Sequence, residues 1–221
     1  MNEATWLWDH RRGPAGMLHD TAPPSESRPT AWLLEVEEPS LVMGSAQTAA
    51  AVDRARAAAM GVRVVRRHSG GGAVLLVPGQ HVWIDVWVPA GCRWWDTDVI
   101  RAADWLGDVW VDALGAVGMP DLAVHRGGLV RTRWSSTVCF VGLGPGEVSS
   151  GGRKLVGVSQ RRTRDWARFQ CLVHRRWDAD AVSAVLADPE ARAARHEWES
   201  VVAVVGDRDI GSAFAAALRD A

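Results

Sequence analysis

Three strand-like runs follow one another between residues 62 and 89, with only turn residues between them. They read "VRVVRR", "AVLLV" and "HVWIDVWVP", and are separated by a Gly-rich turn and a Pro-Gly turn. In the third run, polar or aromatic side chains alternate with Val and Ile at a period of two, as expected of a β-strand. Because helical patterns occur elsewhere in separate blocks, the chain is predicted to be α+β and not a repeat of βαβ units.

The other elements are predicted from the same periodicities and from capping and breaking residues. An apolar stripe at helical spacing predicts a helix over 96–118. A helix is also expected over 48–61, with Thr48 as its cap. Residues 9–30 are predicted to be a loop with a short helical piece at 16–19. Further helices are expected over 178–188 and 209–219, and strands over 31–36, 41–43, 122–125, 137–142, 154–160 and 167–173.

Length, charge and cysteine content set limits on the class of protein. The 221 residues suit one large domain with a substantial core. A net charge of −1 argues against binding nucleic acid or membranes through bulk electrostatics. The three cysteines show neither a disulfide framework nor metal-ligand spacing, which fits a reducing compartment. With no signal-peptide pattern and no long apolar run, a cytoplasmic protein is expected.

The Gly-rich turn "RRHSGGGAV", residues 66–74, is the first segment that indicates chemistry. Consecutive glycines lose much conformational entropy on folding, so they are typical of places where a ligand approaches the backbone or where N–H groups surround an anion. Ser69 adds a hydroxyl group, and Arg66 and Arg67 add side chains suited to phosphate or carboxylate. The pattern is neither the dinucleotide fingerprint nor the P-loop. A Gly-rich hairpin with two solvated arginines is the competing interpretation.

The second segment, "SSGGRKLVGVSQ" at 149–160, contains Lys154, the only lysine in the chain. A sequence that otherwise uses Arg for positive charge retains Lys where a compact ammonium must reach a small oxyanion or lose a proton. Gly157, in the middle of the predicted strand, indicates close approach by a ligand or another backbone segment. A surface lysine is the simpler alternative. Lys154 is nevertheless the best catalytic candidate in the chain.

Together the two segments resemble the superfamily of lipoate-protein ligases, biotin-protein ligases and octanoyltransferases. Its motifs are an RR-x-SGGG turn and, further along the chain, a K-[IV]-x-G-x-[AS]-Q strand. The segment "EEPSLVMGSAQ" at 37–47 resembles the family's entry segment, and the likeness spans roughly residues 31–175. The positions that match the two motifs are Arg66, Arg67, Ser69, Gly70, Gly71, Gly72, Ala73, Val74, Lys154, Val156, Gly157, Ser159 and Gln160.

The resemblance implies a mixed, largely antiparallel sheet flanked by helices, as in class II biotin and lipoate ligases. It implies one catalytic domain over 1–221, with a motif-bearing core at about 31–175, C-terminal helices at 178–221 and no full accessory domain. The expected reaction uses ATP with Mg²⁺ to convert lipoate or octanoate to an acyl-adenylate. The acyl group then passes to a lysine on a lipoyl carrier domain of a 2-oxoacid dehydrogenase or glycine-cleavage protein.

By the same resemblance, Lys154 stabilises the negative charge that develops where the carboxyl group meets the phosphate. Arg67 is expected to assist the phosphate, and the glycine turn with Ser69 to hold the ligand close. No metal-binding residue is expected. The full set of expected ligand-binding residues is Arg67, Ser69, Gly70, Gly71, Gly72, Ala73, Gly157 and Ser159.

Two departures from the ligase pattern motivate alternatives. The stretch "LLVPGQHVW" lacks the ligases' His-Asp and Gly-Asn pairs, and "RFQCLVH" replaces a later His-Gly. One alternative is an ATP-independent octanoyltransferase, in which Cys139, activated by the nearby ammonium, accepts octanoyl from acyl carrier protein. Cys171 lies where another branch has its cysteine, although burial in a strand is the commoner fate of either residue. The other alternative is a non-catalytic protein that binds a lipoyl ligand or carrier domain.

Overall fold

The computed structural model describes residues 6–221, which form ten strands and seven α-helices. The strands are β1 (Leu7–Gly13), β2 (Thr30–Val36), β3 (Ser40–Met43), β4 (Arg63–Arg66), β5 (Val74–Leu76), β6 (His81–Pro89), β7 (Leu122–Val124), β8 (Val148–Ser150), β9 (Arg153–Arg162) and β10 (Trp166–His174). The α-helices are α1 (Ala15–His19), α2 (Arg54–Ala59), α3 (Asp104–Ala116), α4 (Ala179–Ala184), α5 (Pro189–Ala193), α6 (Arg195–Glu199) and α7 (Ile210–Asp220). Short 3₁₀ helices occur at Ala49–Ala51, Arg101–Ala103 and Cys139–Val141.

The strands form a large and a small sheet. The large sheet has the order β1-β2-β6-β10-β9-β8-β7, in which only β1 and β2 run parallel. The small sheet has the order β4-β3-β5, with β3 parallel to β4 and antiparallel to β5. This mixed, largely antiparallel arrangement confirms the predicted α+β class. Among residues 6–221, no helix has the length and apolar character needed to cross a membrane.

The core has layers on both faces of the large sheet. One face packs against α3 and α7 through residues such as Ile84, Val86, Leu106 and Phe214. The other face packs against α1 and the small sheet, and its buried side chains include Trp32, Trp83, Leu172, Leu18, Val42 and Leu76. A third cluster joins the small sheet to α2 and α4–α6. Of the two recognisable motifs, the glycine turn joins β4 to β5 in the small sheet, and the lysine motif lies on β9 of the large sheet.

Most predicted strands are present, and the short helical piece predicted at 16–19 is α1, but the loop predicted over 9–30 also contains the end of β1. Strand β1 pairs with β2 along one edge of the sheet and exposes most of its side chains. Its polar sequence therefore carries little apolar periodicity. The elements that the sequence did not indicate are β1, β8, α5 and α6.

Two predicted helices begin later than expected. Thr48 makes no capping hydrogen bond, and Asp53 caps α2 instead by accepting a hydrogen bond from the Arg56 N–H. Before it, Val52 forms a bridge with Leu186 that holds the chain extended. The helix predicted from residue 96 starts as a turn bound by Asp98, and its regular α-helical part begins at Asp104.

The strand predicted over 137–142 is wrong. Cys139–Val141 forms a 3₁₀ turn, although Val138 still bridges Ala73. The apolar residues are buried as a strand's would be, but the carbonyl groups of Cys139 and Gly142 accept hydrogen bonds from the Lys154 ammonium. A side-chain cation therefore replaces a neighbouring strand as the partner of this backbone.

Candidate active site

The Gly-rich turn is held by the two arginines that precede it. Arg67 is 4% exposed, and its Nη2 donates to the carbonyl oxygens of Gly70 at 2.6 Å and Gly72 at 2.9 Å. Arg66 donates from Nη1 to the carbonyl groups of Gly44 and Ser45, in the entry segment. The guanidinium group of Arg67 is thus engaged with the turn itself. Its predicted phosphate contact would require an exchange of these bonds.

Glycine is needed in this turn because other backbone segments pass close to it. A Cβ on Gly72 would lie 2.6 Å from the carbonyl carbon of Val138 and 2.7 Å from the nitrogen of Cys139. A Cβ on Gly44 would lie 1.9 Å from the carbonyl oxygen of Gly71, whose own φ is +94°. Ala73 N–H donates to Thr137, and the N–H of Cys139 donates to Ala73. The turn and the Cys139 segment are therefore packed backbone against backbone.

The two sequence motifs meet through their serines. The hydroxyl oxygens of Ser69 and Ser159 are 3.1 Å apart and hydrogen-bonded. Close by on β9, a Cβ on Gly157 would lie 3.1 Å from two ring atoms of Phe140, so glycine allows this aromatic ring to approach the strand closely. The hydrogen bond between the serines thus brings together residues that lie 90 positions apart in the sequence.

Lys154 is buried and fully hydrogen-bonded. Its Nζ lies 2.6 Å from Oε2 of Glu147, 3.0 Å from the carbonyl oxygen of Gly142 and 3.2 Å from that of Cys139. The ammonium also lies 5.1 Å from the centre of the Phe140 ring. Since an ammonium has three N–H bonds, these three oxygens account for all of them. The interpretation of Lys154 as a surface lysine is wrong, because the residue is 6% exposed.

Glu147 is a site residue that the sequence analysis did not identify. Its carboxylate is 5% exposed, and it accepts hydrogen bonds from the N–H groups of Gly144 and Val158 as well as from Lys154. The only sequence signal is a carboxylate after the turn "GPG" and before β8. A buried lysine requires a counter-charge, and this requirement could have directed attention to a nearby acid.

A narrow apolar cavity and a wider cleft, whose lining is more polar than that of the cavity, share lining residues near the turn. The cavity, of about 430 Å³ including its open mouth, is lined by Val74, Leu76, Trp83, Phe140, Leu172 and six further residues, together with Cys139. The cleft is larger, about 1590 Å³ including its open mouth, and contains Ser69, the three glycines, Arg131, Glu147 and Lys154. Three residues line both spaces: Cys139, Val158 and Ser159.

The two cysteines that were considered as nucleophiles lie in different environments. Cys139 is partly buried and borders both the cavity and the cleft. Cys171 is fully buried on β10 in the core beneath α3, and burial raises the pKa of its thiol far above the usual value. The expectation that Cys171 is a structural residue is confirmed. Cys139 is accessible to a ligand, and Lys154 contacts its carbonyl oxygen at 3.2 Å.

The cavity also contains polar residues from α1 and β10 that the sequence did not single out. His19 and Gln170 line it together with the apolar residues and with Arg67, which the sequence had indicated. Arg168 fixes α1 to the sheet by donating to the carbonyl groups of Leu18 and His19. Arg168 is in turn paired with Asp85, which is fully buried.

The sequence profile of the lipoyl protein ligase A/B catalytic domain matches residues 16–207. The chain belongs to this family. A search of curated protein sequences gave no match. The fold is shared with solved structures of low sequence identity.

One similar structure is the bipartite lipoate protein ligase of Thermoplasma acidophilum, described together with its E2 lipoyl domain. Its TM-score is 0.75 at 18% identity, over 99% of this chain and 84% of that one. A lipoate-protein ligase A with bound ATP has a TM-score of 0.72 at 18% identity, over 99% and 85% of the two chains. The T. acidophilum protein Ta0514 with bound lipoic acid gives 0.70 at 17% identity, over 99% and 84%. The family membership and the fold predicted from the two motifs are thereby confirmed.

Proposed function

We propose that this chain is a lipoate-protein ligase, which activates lipoate or octanoate with ATP and transfers the acyl group to a lysine of a lipoyl carrier domain. The observation that carries the proposal is the junction of two unlike spaces. An apolar cavity suited to an acyl chain shares Cys139, Val158 and Ser159 with a cleft of more polar lining, which contains the glycine turn and Lys154. Burial of an alkyl chain contributes about 0.8 kcal/mol per CH₂, which favours this orientation of the acid.

In the first step, a carboxylate oxygen of the acid attacks the α-phosphorus of ATP, an acyl-adenylate forms and pyrophosphate leaves. Negative charge develops where the cavity meets the cleft, and a buried ammonium stabilises such charge more strongly than an ammonium in water does. The position of Lys154 supports this role, since its Nζ lies 3.2 Å from the carbonyl oxygen of Cys139, a residue that lines both spaces. Since its three N–H bonds are already used, a substrate oxygen must replace one acceptor.

In the second step, the neutral amine of the carrier lysine attacks the acyl carbonyl carbon, an amide forms and AMP leaves with loss of one proton. The turn of Gly70, Gly71 and Gly72 presents backbone to the cleft where the nucleotide would lie. Such a turn is suited to phosphate oxygens because no Cβ blocks their approach. The proposed acceptors are the lipoyl domains of 2-oxoacid dehydrogenase complexes and of glycine-cleavage proteins.

The side chains of the cleft do not form a magnesium site of their own. Among residues 6–221, no three His, Cys, Asp or Glu side chains cluster as metal ligands. Glu147 lines the cleft, but its carboxylate is bonded to Lys154. Magnesium commonly binds through substrate phosphates with few protein ligands, so it would enter with ATP.

Lipoate-dependent exchange of labelled pyrophosphate into ATP tests the ligase directly. We expect exchange with the wild-type protein, and a loss of at least about 100-fold with Lys154→Ala, in keeping with removal of one electrostatic stabiliser. Cys139→Ala should retain exchange within about tenfold. No lipoate- or octanoate-dependent exchange by folded wild-type protein would rule out the ligase.

The second candidate is the octanoyltransferase that uses Cys139, and the position of this thiol on both spaces favours it. In that reaction the thiolate attacks the thioester of octanoyl acyl carrier protein, and the carrier thiol leaves. Incubation with octanoyl acyl carrier protein, followed by mass spectrometry of the intact chain, would detect an octanoyl adduct on wild-type protein and none on Cys139→Ala. If the wild-type protein gives neither pyrophosphate exchange nor an octanoyl adduct, so that Lys154→Ala and Cys139→Ser change neither assay, a non-catalytic lipoyl or carrier binder is the remaining function.

A further inference from the structure

His19 is a buried histidine inside the acyl cavity. It ends α1, is 5% exposed and packs on Trp83 with the two ring centres 4.5 Å apart. Both rings line the cavity. Burial, with smaller effects from Arg168 and Arg67, lowers the pKa of His19 to about 3. The imidazole is therefore neutral at physiological pH, so it has one N–H donor and one nitrogen acceptor.

The neighbours of His19 determine which nitrogen carries the hydrogen. Nε2 of Gln170 lies 3.1 Å from Nδ1 of His19. An amide nitrogen donates hydrogen bonds and does not accept them, so Nδ1 is the acceptor of this bond. The hydrogen of His19 is therefore on Nε2.

This Nε2–H group is buried and has no hydrogen-bond partner among residues 6–221. The cavity and the cleft share Ser159, on β9, so this residue marks the mouth of the cavity. Gln170 is its pairing partner on β10. Trp83, against which His19 packs, is one strand further, on β6, so it lies about 10 Å from β9 at ~4.8 Å per strand. The ring of His19 therefore lies toward the side of the cavity away from Ser159, which the distal end of an acyl chain would occupy.

We propose that His19 is a specificity residue, which selects an acyl group that ends in a cyclic disulfide, as lipoate does, over the plain alkyl chain of octanoate. The inference rests on the proposed function, since it concerns the acid that occupies the same cavity. An alkyl end leaves the N–H without an acceptor, and a buried unpaired donor is costly. A ring sulfur accepts this hydrogen bond, weakly, and also packs favourably at about 5 Å from an aromatic ring such as that of Trp83.

The test measures binding of lipoate and octanoate by calorimetry, without nucleotide, and then kcat/KM for each acid in pyrophosphate exchange. The wild-type protein should favour lipoate by about fivefold or more, the ratio that corresponds to the low end of the cost of an unpaired donor. His19→Phe keeps a ring against Trp83 but removes the donor, so the preference should fall to within about twofold. His19→Gln restores an N–H donor and should recover part of the preference.

Met17→Leu is the matched control, because Met17 is in the same helix but 57% exposed and outside the cavity. It should leave the ratio unchanged. His19→Phe should fold, since Arg168 bonds the backbone carbonyl of His19 and not its ring. Equal or tighter binding of octanoate by the wild type would overturn the inference whatever the variants do. So would tighter binding of biotin than of lipoate, or an undiminished preference in folded His19→Phe.

The two proposals fail separately. If the wild type binds lipoate selectively and loses that selectivity in His19→Phe, but supports no exchange, His19 selects the ligand and the ligase reaction is wrong. If exchange occurs equally well with both acids, the ligase reaction stands and the role of His19 is wrong.

Discussion

The pair formed by Lys154 and Glu147 explains why a chain so rich in arginine keeps one lysine. Three oxygens surround the ammonium at 2.6 to 3.2 Å, in a space where both charged side chains are 5% exposed. The planar, forked guanidinium of arginine does not match three acceptors around one nitrogen. The sequence indicated that this position needs a compact charge, and the geometry around Lys154 is consistent with that prediction. Glu147, the partner of Lys154, was not identified from the sequence.

Breaking this pair from either side should destabilise the protein. Lys154→Met leaves the Glu147 carboxylate buried without its counter-charge, and such single changes cost about 3–5 kcal/mol of unfolding free energy. Glu147→Gln leaves the Lys154 ammonium buried without its counter-charge in the same way. The double variant Lys154→Met/Glu147→Gln should be more stable than the sum of the single effects predicts, by at least about 1 kcal/mol. Urea unfolding of the four proteins measures this coupling.

Additive losses would show that the two side chains do not act as a pair. Pyrophosphate exchange tests the catalytic role of Lys154 separately from stability, since both single variants and the double variant lack the intact pair. Lys154→Met and the double variant should be equally inactive even if the double variant regains stability. Recovery of pyrophosphate exchange in the double variant would contradict a catalytic role for the ammonium.

At the level of elements, the glycine turn and the Cys139–Val141 helix form one unit that the sequence presented as two. A Cβ on Gly72 would lie within 2.7 Å of the backbone of Val138 and Cys139, whereas a Cβ on Gly70 meets no atom within 4 Å. Gly72→Ala must therefore push the two segments apart, and Gly70→Ala need not. This contrast offers a matched pair of substitutions within one turn.

We expect Gly72→Ala to lower the free energy of unfolding by about 1–3 kcal/mol, as overpacking does. It should also raise KM for the acid, since the displaced segment carries Cys139 and Phe140, which line the cavity. Gly70→Ala should change stability by no more than about 0.5 kcal/mol. Thermal unfolding and exchange kinetics of both variants give the comparison, and equal effects would show that the turn tolerates a side chain at either position.

Local patterns predicted most strands, but features set by distant contacts were missed. The alternation in β6 and the Gly-Gly turn before β9 are local signals, and both elements are present. The segment at 137–142 has the same apolar character, yet its carbonyl groups turn toward Lys154, a contact that composition does not encode. His19 and Glu147 were missed for the same reason, because only the fold brings them to the cavity and the cleft.

At the scale of the whole molecule, the space between the two sheets excludes water from several ionisable groups. Three histidines lie there and below the site: His19 and His174 are buried, and His81 is partly buried. His81 and His174 are paired across β6 and β10, and His174 packs on Phe140 at 4.3 Å between ring centres. Burial is the largest cause that lowers their pKa values, to about 3 for His19 and His174 and about 4 for His81.

These pKa values make the fold sensitive to mild acid. In the unfolded chain a histidine binds a proton below about pH 6.5, whereas these three remain neutral in the folded protein down to about pH 3 or 4. The unfolded state therefore binds more protons in this window. The contribution of these histidines to the free energy of unfolding is fully present above about pH 6.5. It is lost as the pH falls toward their pKa values in the folded protein, by up to about 1.4 kcal/mol per pH unit for each histidine.

Urea unfolding at intervals between pH 8 and pH 5 measures this dependence. Below pH 6.5 the wild-type free energy of unfolding should decrease as the pH falls. The slope should approach the value for three more protons bound by the unfolded chain than by the folded protein. His19→Phe removes one of the three groups and should reduce the slope by about one proton, or about 1.4 kcal/mol per pH unit. His196→Gln, at an exposed position on α6, should leave the slope unchanged. A wild-type stability that stays level from pH 8 to pH 5 would show that these histidines are not held neutral by the fold.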